Sequence, residues 1–145
     1  MGKSLNIFLV EDNDLDVEFL KRGLRKIGAA HSLFRARDGL EAWEVLNQTA
    51  PDHQITDPFV ILLDINMPRM NGHEFLTALR NSDKLRSARV FVFTTSANPA
   101  DIDQAYENHV SGYLVKPNSS AELNLALTAL TQFWDRCENP ASQRL

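Results

Sequence analysis

The stretch Phe59-Val60-Ile61-Leu62-Leu63-Asp64-Ile65-Asn66-Met67-Pro68-Arg69-Met70-Asn71-Gly72 decides how this chain is read. Its first five residues are all apolar and rich in branched side chains. A run of that length is too short for a typical helix and suits a strand buried on both faces. It ends in a carboxylate, Asp64. Ligands of an open α/β sheet bind just beyond the carboxyl ends of its strands, so Asp64 stands where a site would form.

Upstream, Leu5-Asn6-Ile7-Phe8-Leu9-Val10 reads as a first strand, with Glu11 and Asp12 directly after it. Asn13 or Asp14 can cap a helix, because their side chains accept bonds from the free N–H groups. Leu15, Phe19, Leu20, Leu24 and Ile27 recur at helical spacing, and Gly28 ends that helix. His31 to Ala36 is a weaker, more polar strand that suits a sheet edge. Asp38-Gly39-Leu40-Glu41 reads as a capping box before a helix carrying Leu40, Trp43, Val45 and Leu46. A polar loop from Thr49 to Pro58 then leads to the central strand.

Downstream, Asn71-Gly72-His73-Glu74 opens a third helix with Phe75, Leu76 and Leu79. Val90-Phe91-Val92-Phe93 is a fourth strand ending at Thr94-Thr95-Ser96. Asn98-Pro99-Ala100-Asp101 starts a fourth helix, with proline where its missing N–H costs nothing. Ser111 to Val115 is a fifth strand ending at Lys116-Pro117. Ser119-Ser120-Ala121-Glu122 caps a last helix whose stripe runs Leu123, Leu127, Leu130 and then Phe133 or Trp134. Residues 138–145 form a polar tail. Strands alternating with helices predict a parallel sheet covered on both faces, with right-handed crossovers. Periodicity leaves two strand orders open.

Composition narrows the function classes. At 145 residues, with 43% hydrophobic and 23% charged residues, the chain is expected to be one soluble domain, 1–145. It can bury a core without a disulfide or metal staple. Cys137 is the only cysteine, which excludes an internal disulfide. The net charge of −4 argues against nucleic acid as the main partner. No apolar run reaches the roughly 18 residues of a membrane span, and Met1 to Ser4 lack a signal-peptide core. A cytoplasmic protein is expected.

The strand ends carry the chemistry. Glu11 and Asp12 follow the first strand, Asp64 the third, Thr94 ends the fourth and Lys116 follows the fifth. A parallel sheet puts all of them on one rim. Three carboxylates crowded together resist ionisation, and a divalent cation relieves that repulsion. The ligands offered are hard oxygens, with no clustered histidine, which favours Mg²⁺. Lys116 and the Thr94 hydroxyl add what a phosphoryl group needs, positive charge and a hydrogen-bond donor. Asp64 is then the natural nucleophile, forming an aspartyl phosphate. With no cation bound, Lys116 can pair with Asp64 directly.

Taken together, these residues resemble the receiver domains of response regulators. Asp64 to Gly72 looks like that family's phosphoacceptor segment, and Glu11-Asp12 like its acidic pair. Thr94 matches its switch hydroxyl, Tyr113 its switch aromatic, and Lys116-Pro117 its lysine followed by a cis peptide. Order and approximate spacing match across residues 5–137. The resemblance implies a flavodoxin-like, doubly wound sheet of order 2-1-3-4-5 with five helices on two faces. It implies ligation of Mg²⁺ by Asp12, Asp64 and the Asn66 carbonyl, with Glu11 acting through water. The phosphodonor would be a sensor histidine kinase. The long loop before the third strand and the helix ending Phe133-Trp134 are similar to the small phytochrome-associated receivers, making a bacterial phytochrome the candidate kinase. The residue after the switch hydroxyl is usually Ala or Gly in the family; here it is Thr95.

The expected function is therefore a stand-alone response regulator, without an output domain, that switches a partner-binding face. A homodimer through the fourth helix, fifth strand and fifth helix is expected, since Leu125, Ala129, Phe133 and Trp134 make that last helix sticky. One rival is a Mg²⁺-dependent phosphohydrolase or phosphotransferase working through an aspartyl phosphate. The sequence offers it no second catalytic acid and no substrate-capping insertion. The other rival is a receiver scaffold that works without phosphorylation, which the intact Asp12, Asp64, Thr94 and Lys116 argue against.

Overall fold

Along the first strand, β1 (Leu5–Val10), apolar side chains alternate between two faces. Leu5, Ile7 and Leu9 enter one core and Phe8 and Val10 the other, so the strand is buried throughout. The computed structural model describes residues 4–47, 55 and 57–139. The chain continues through α1 (Asp14–Lys26), β2 (His31–Ala36), α2 (Gly39–Asn47), β3 (Val60–Leu63) and α3 (Gly72–Arg80). It finishes with β4 (Val90–Thr94), α4 (Pro99–Glu107), β5 (Gly112–Val115) and α5 (Ser120–Arg136). All strand pairs are parallel, in the order β2-β1-β3-β4-β5. Of the two orders that periodicity left open, this is the one implied by the resemblance. The expected loop at 49–58 and tail at 138–145 lie mostly outside the described residues, as do residues 1–3.

The two faces divide the helices. Val17, Leu20 and Leu24 of α1 and Leu123, Leu127, Leu130 and Trp134 of α5 share one core with Val60 and Leu62. Ala42 and Leu46 of α2, Phe75, Leu76 and Leu79 of α3 and Ala105 of α4 share the other with Ile61 and Leu63. Each fully buried leucine contributes about 1.5–3 kcal/mol relative to exposure. Helices α1 and α5 meet at Gly23, where a β-carbon would lie 2.8 Å from the Leu127 Cδ1.

The helix starts follow the expected chemistry. Asn13 caps α1, Asn98 caps α4 and Ser119 caps α5 through side-chain acceptance of backbone N–H groups. Asn71 and Glu74 form a reciprocal capping box on α3. At α2 only half of the expected box is made. Asp38 accepts the Glu41 N–H at 2.9 Å, but the Glu41 carboxylate reaches back to the Arg37 N–H instead of the cap residue.

Two expectations need correcting. Trp134 does not belong to the exposed side of α5. It is 3% exposed, its indole N–H donates to the Ser4 carbonyl at 2.8 Å, and the Arg89 guanidinium lies over its ring. The spacing 123, 127, 130, 134 returns to the same helix face, whereas Phe133 lies about 100° away and is 58% exposed. The implied cis peptide at Lys116-Pro117 is also absent; among the described residues the cis bond is Asp57-Pro58. Lys116-Pro117 takes the trans form, the common state of an X–Pro bond.

Candidate functional site

The parallel sheet brings the ends of β1, β3, β4 and β5 to one rim, and Glu11, Asp12, Asp64, Thr94 and Lys116 meet there. Strand register fixes the first contact, because the Asp64 N–H donates to the Val10 carbonyl at 3.0 Å. Glu11, Asp12 and Asp64 each present an oxygen within 4.8 Å of the others. Glu11 and Asp64 are buried, whereas Asp12 is exposed. Hard oxygens at this spacing fit a small divalent cation that retains several waters. Asn66 lies exposed on the loop two residues beyond Asp64.

Lys116 sits inside this cluster. Its Nζ is 2.6 Å from Glu11 Oε1, 2.8 Å from Asp16 Oδ2 and 3.5 Å from Asp64 Oδ2. The direct Lys116–Asp64 pair expected from the sequence is thus the longest of the three contacts. Burial opposes the charge on Lys116, but the hydrogen bonds to Asp16 and Glu11 outweigh it and raise its pKa above the ordinary value. Burial pushes the Glu11 carboxyl up to about 7; the Lys116 hydrogen bond opposes this, and the charge of Asp64 adds to it.

Thr94 is fully buried at the end of β4, and its hydroxyl oxygen faces the Ser96 N–H at 3.4 Å. Thr95, the residue that departs from the family pattern, is exposed. Tyr113 on β5 donates its hydroxyl to the Ser96 carbonyl at 2.9 Å. Burial raises the pKa of that phenol, with the Ser96 bond working against it.

Sequence reasoning missed the residues that brace this rim. Asp16 lies in the first turn of α1, where acids favour the helix start, so nothing local marks it as a partner of a distant lysine. Arg35 on β2 donates to the Glu11 carbonyl at 2.7 Å and pairs with Asp14 at 2.9 Å, fixing the acidic loop from the side. Arg69 donates through Nε and Nη2 to Asp38, at 2.7 and 3.2 Å, and does so from a left-handed φ of 63°. Next to it the Gly39 N–H donates to the Met70 carbonyl at 2.9 Å, so the loop after β3 is fastened to the start of α2. Finally, Asp101 joins the Ser96 hydroxyl at 2.5 Å to the His73 ring at 2.9 Å, connecting the β4–α4 loop with α3.

The Asp38–Arg69 pair has a testable pH signature. Burial alone would raise the Asp38 carboxyl, but Arg69 and the Glu41 N–H outweigh burial and hold it below the usual carboxylate range. A folded-state pKa below the unfolded one gives stability that is present above the ordinary aspartate pKa and lost as pH falls through the folded value. Wild type is therefore expected to lose stability more steeply than Asp38→Asn below about pH 4. Urea midpoints measured across that acid limb check this; parallel curves would remove the pair as a contributor.

Residues 7–128 match the response regulator receiver domain. The chain is 34% identical over 128 residues to the response regulator Rcp1 of Synechocystis, covering 88% of this chain and 87% of the relative. It is 33% identical over 138 residues to a probable methanogenesis regulatory protein, FilR2, of Methanothrix harundinacea, covering 93% and 88%. Among solved structures, the phosphorylated cyanobacterial phytochrome response regulator RcpA superposes with a TM-score of 0.82 at 31% identity, covering 97% of this chain and all of that one. The Mn²⁺-bound form of Rcp1 superposes at 0.79 with 32% identity, covering 94% and 99%. A receiver sheet of order 2-1-3-4-5, an acidic cluster after its first and third strands and a lysine after its fifth all agree with that match: the chain belongs to the response regulator receiver domain family.

Proposed function

We propose that Asp64 is the phosphoacceptor of this receiver, with Lys116 and Thr94 as the groups that meet the transferred phosphoryl. The observation that carries this reading is the cluster of Glu11, Asp12 and Asp64 within 4.8 Å, with the Lys116 ammonium among them. An Asp64 oxygen attacks phosphorus as the donor's P–N bond breaks and its electron pair returns to the imidazole of a phosphohistidine. Lys116 remains protonated and balances charge on the phosphoryl oxygens. Thr94, buried at the end of β4, is positioned to turn its hydroxyl toward the new group. Asp12, Asp64 and the Asn66 carbonyl would hold Mg²⁺, with Glu11 acting through water. When bound, Mg²⁺ neutralises carboxylate and phosphoryl charge. Tyr113, tied to the Ser96 carbonyl, carries the change at Thr94 to β5.

The protein then acts as one receiver domain and a signalling module, with no turnover beyond its own phosphorylation and dephosphorylation. The donor is a sensor histidine kinase, in the cytoplasm. The names of RcpA and Rcp1 support a phytochrome-class kinase as that partner. Incubation of wild type with Mg²⁺ and acetyl phosphate, or with a bacterial phytochrome kinase, should add one phosphoryl group by intact mass, and a chelator should prevent it. Absence of labelling from both donors would overturn the reading.

A homodimer through α4, β5 and α5 is the proposed route outward. Leu125 and Phe133 are 68% and 58% exposed on α5, and Tyr106 of α4 and Val115 of β5 are exposed as well. Phe133 also lines a cavity of about 310 Å³ with Phe91, Leu114 and Leu130. Light scattering over a dilution series should show a dimeric mass for wild type and a monomeric one for Leu125→Glu with Phe133→Ala. A wild-type monomer at every concentration would remove this interface. Trp134 is left intact in that test because it belongs to the core.

A further inference from the structure

The Lys116 ammonium is held mainly by two carboxylates, and neither is the acceptor. Glu11 and Asp16 lie within 2.8 Å of Nζ, while Asp64 stands off at 3.5 Å. Asp16 is outside the group of three carboxylates suited to a cation. Its position is fixed from both ends. The Asn13 cap accepts the Asp16 N–H at 3.1 Å, and the side chain then reaches Lys116, one hundred residues away in sequence.

Two demands conflict at such a site. The ammonium must stand close enough to meet a phosphoryl oxygen on Asp64. Seated on Asp64 itself, it would occupy the lone pairs that the cation and the donor need. Coulomb attraction between an ammonium and a nearby carboxylate in a partly buried setting draws the two together unless another anion competes. We propose that Asp16 is a positioning residue that holds Lys116 beside Asp64 and off its oxygens, keeping the acceptor open to a divalent cation and to the phosphodonor. The proposal rests on the phosphoacceptor reading above. A neutral residue at position 16 removes one of the two short bonds to Nζ, and the ammonium moves onto Asp64. In the transfer itself, the bond formed joins an Asp64 oxygen to phosphorus. With acetyl phosphate as donor, its P–O bond breaks, the electron pair leaves on acetate, and Lys116 keeps its proton.

The test is a double-mutant cycle on the full chain, with Mg²⁺ affinity measured by calorimetry and no phosphodonor present. Wild type, Asp16→Asn, Lys116→Gln and the double variant are compared, with circular dichroism to check folding. Asp16→Ala replaces Asp16→Asn if the latter does not fold. Asp16→Asn is expected to weaken Mg²⁺ binding about fivefold, and to have no further effect once Lys116 is Gln. Labelling by acetyl phosphate should fall by a similar factor at subsaturating Mg²⁺ and recover at saturation. Unchanged affinity in Asp16→Asn overturns the proposal. So does an equal loss in the Lys116→Gln background, which would make Asp16 a through-space charge only. A wild type that takes no phosphoryl group from any donor ends the phosphoacceptor reading and this one with it. Normal wild-type labelling with a failed cycle ends only the role of Asp16.

Discussion

Asp64→Asn is expected to reduce phosphoryl labelling to background while leaving the fold and its melting temperature nearly intact. The substitution keeps shape and one acceptor oxygen but removes the proposed nucleophile, and loss of a nucleophile typically costs several orders of magnitude in rate. The backbone of residue 64 is unaffected, because its N–H bond to Val10 depends on strand register. One negative charge also leaves a crowded site. The anion that adds to the raised pKa of Glu11 is then gone, and Mg²⁺ affinity should fall as well. Intact-mass measurement on both proteins decides the matter. Equal labelling would move the acceptor to another carboxylate, with Asp12 first in line.

Gly72→Ala should damage the molecule from a position with no chemistry of its own. A β-carbon there would lie 2.5 Å from the Asp64 carbonyl oxygen and 2.8 Å from the Ile65 Cα. Both are backbone atoms, so no rotamer change relieves the contact. The Gly72 N–H also donates to the Ile65 carbonyl at 2.9 Å, which locks the two segments together. The expected cost is about 3 kcal/mol, with backbone shifts in place of side-chain repacking. That corresponds to a melting temperature lower by roughly 10 °C. Since the displaced carbonyl belongs to Asp64, labelling should slow as well. An unchanged melting temperature would show that α3 can slide away at no cost.

How much of this was legible beforehand depended on the kind of signal. Strands β1 and β3 were plain because their side chains are apolar on both faces, and each ends abruptly in an acid. Caps were plain because Asn13, Asn71, Asn98 and Ser119 act within three residues of themselves. Strand order was not in the periodicity, since both candidate orders bury the same faces; it needed the family resemblance. The choice between Phe133 and Trp134 needed the helix phase relative to the sheet. Asp16, Arg35 and the Asp38–Arg69 pair were hidden for another reason. Each works through a partner on a distant element, and nothing local in sequence marks a charge as belonging to a long-range pair. Lys116 was found as a strand-end cation and Glu11 as a carboxylate on its rim, but its second close partner was not, because Asp16 lies one hundred residues from Lys116.

The fastening of α4 differs from that of every other helix. Ala105 is its one buried residue, whereas α1, α3 and α5 each bury four. On the rim side its hold on the body runs through Asp101, gripped by His73 and Ser96 near its start, while its far end is tied by Arg80, which donates to the Asn108 and His109 carbonyls. The opposite side of the rim is cross-tied by Arg35, Arg69 and the Gly39–Met70 bond. The rim therefore has a fixed jaw, made from the β1 and β3 loops, and a swinging jaw, made from α4. Amide exchange should reflect this, with α4 releasing its protons through local opening long before β1 and β3, which exchange only when the whole domain unfolds. A signal arriving at Thr94 would need to shift only the swinging jaw, leaving the acid-bearing jaw, and the rest of the sheet, in place.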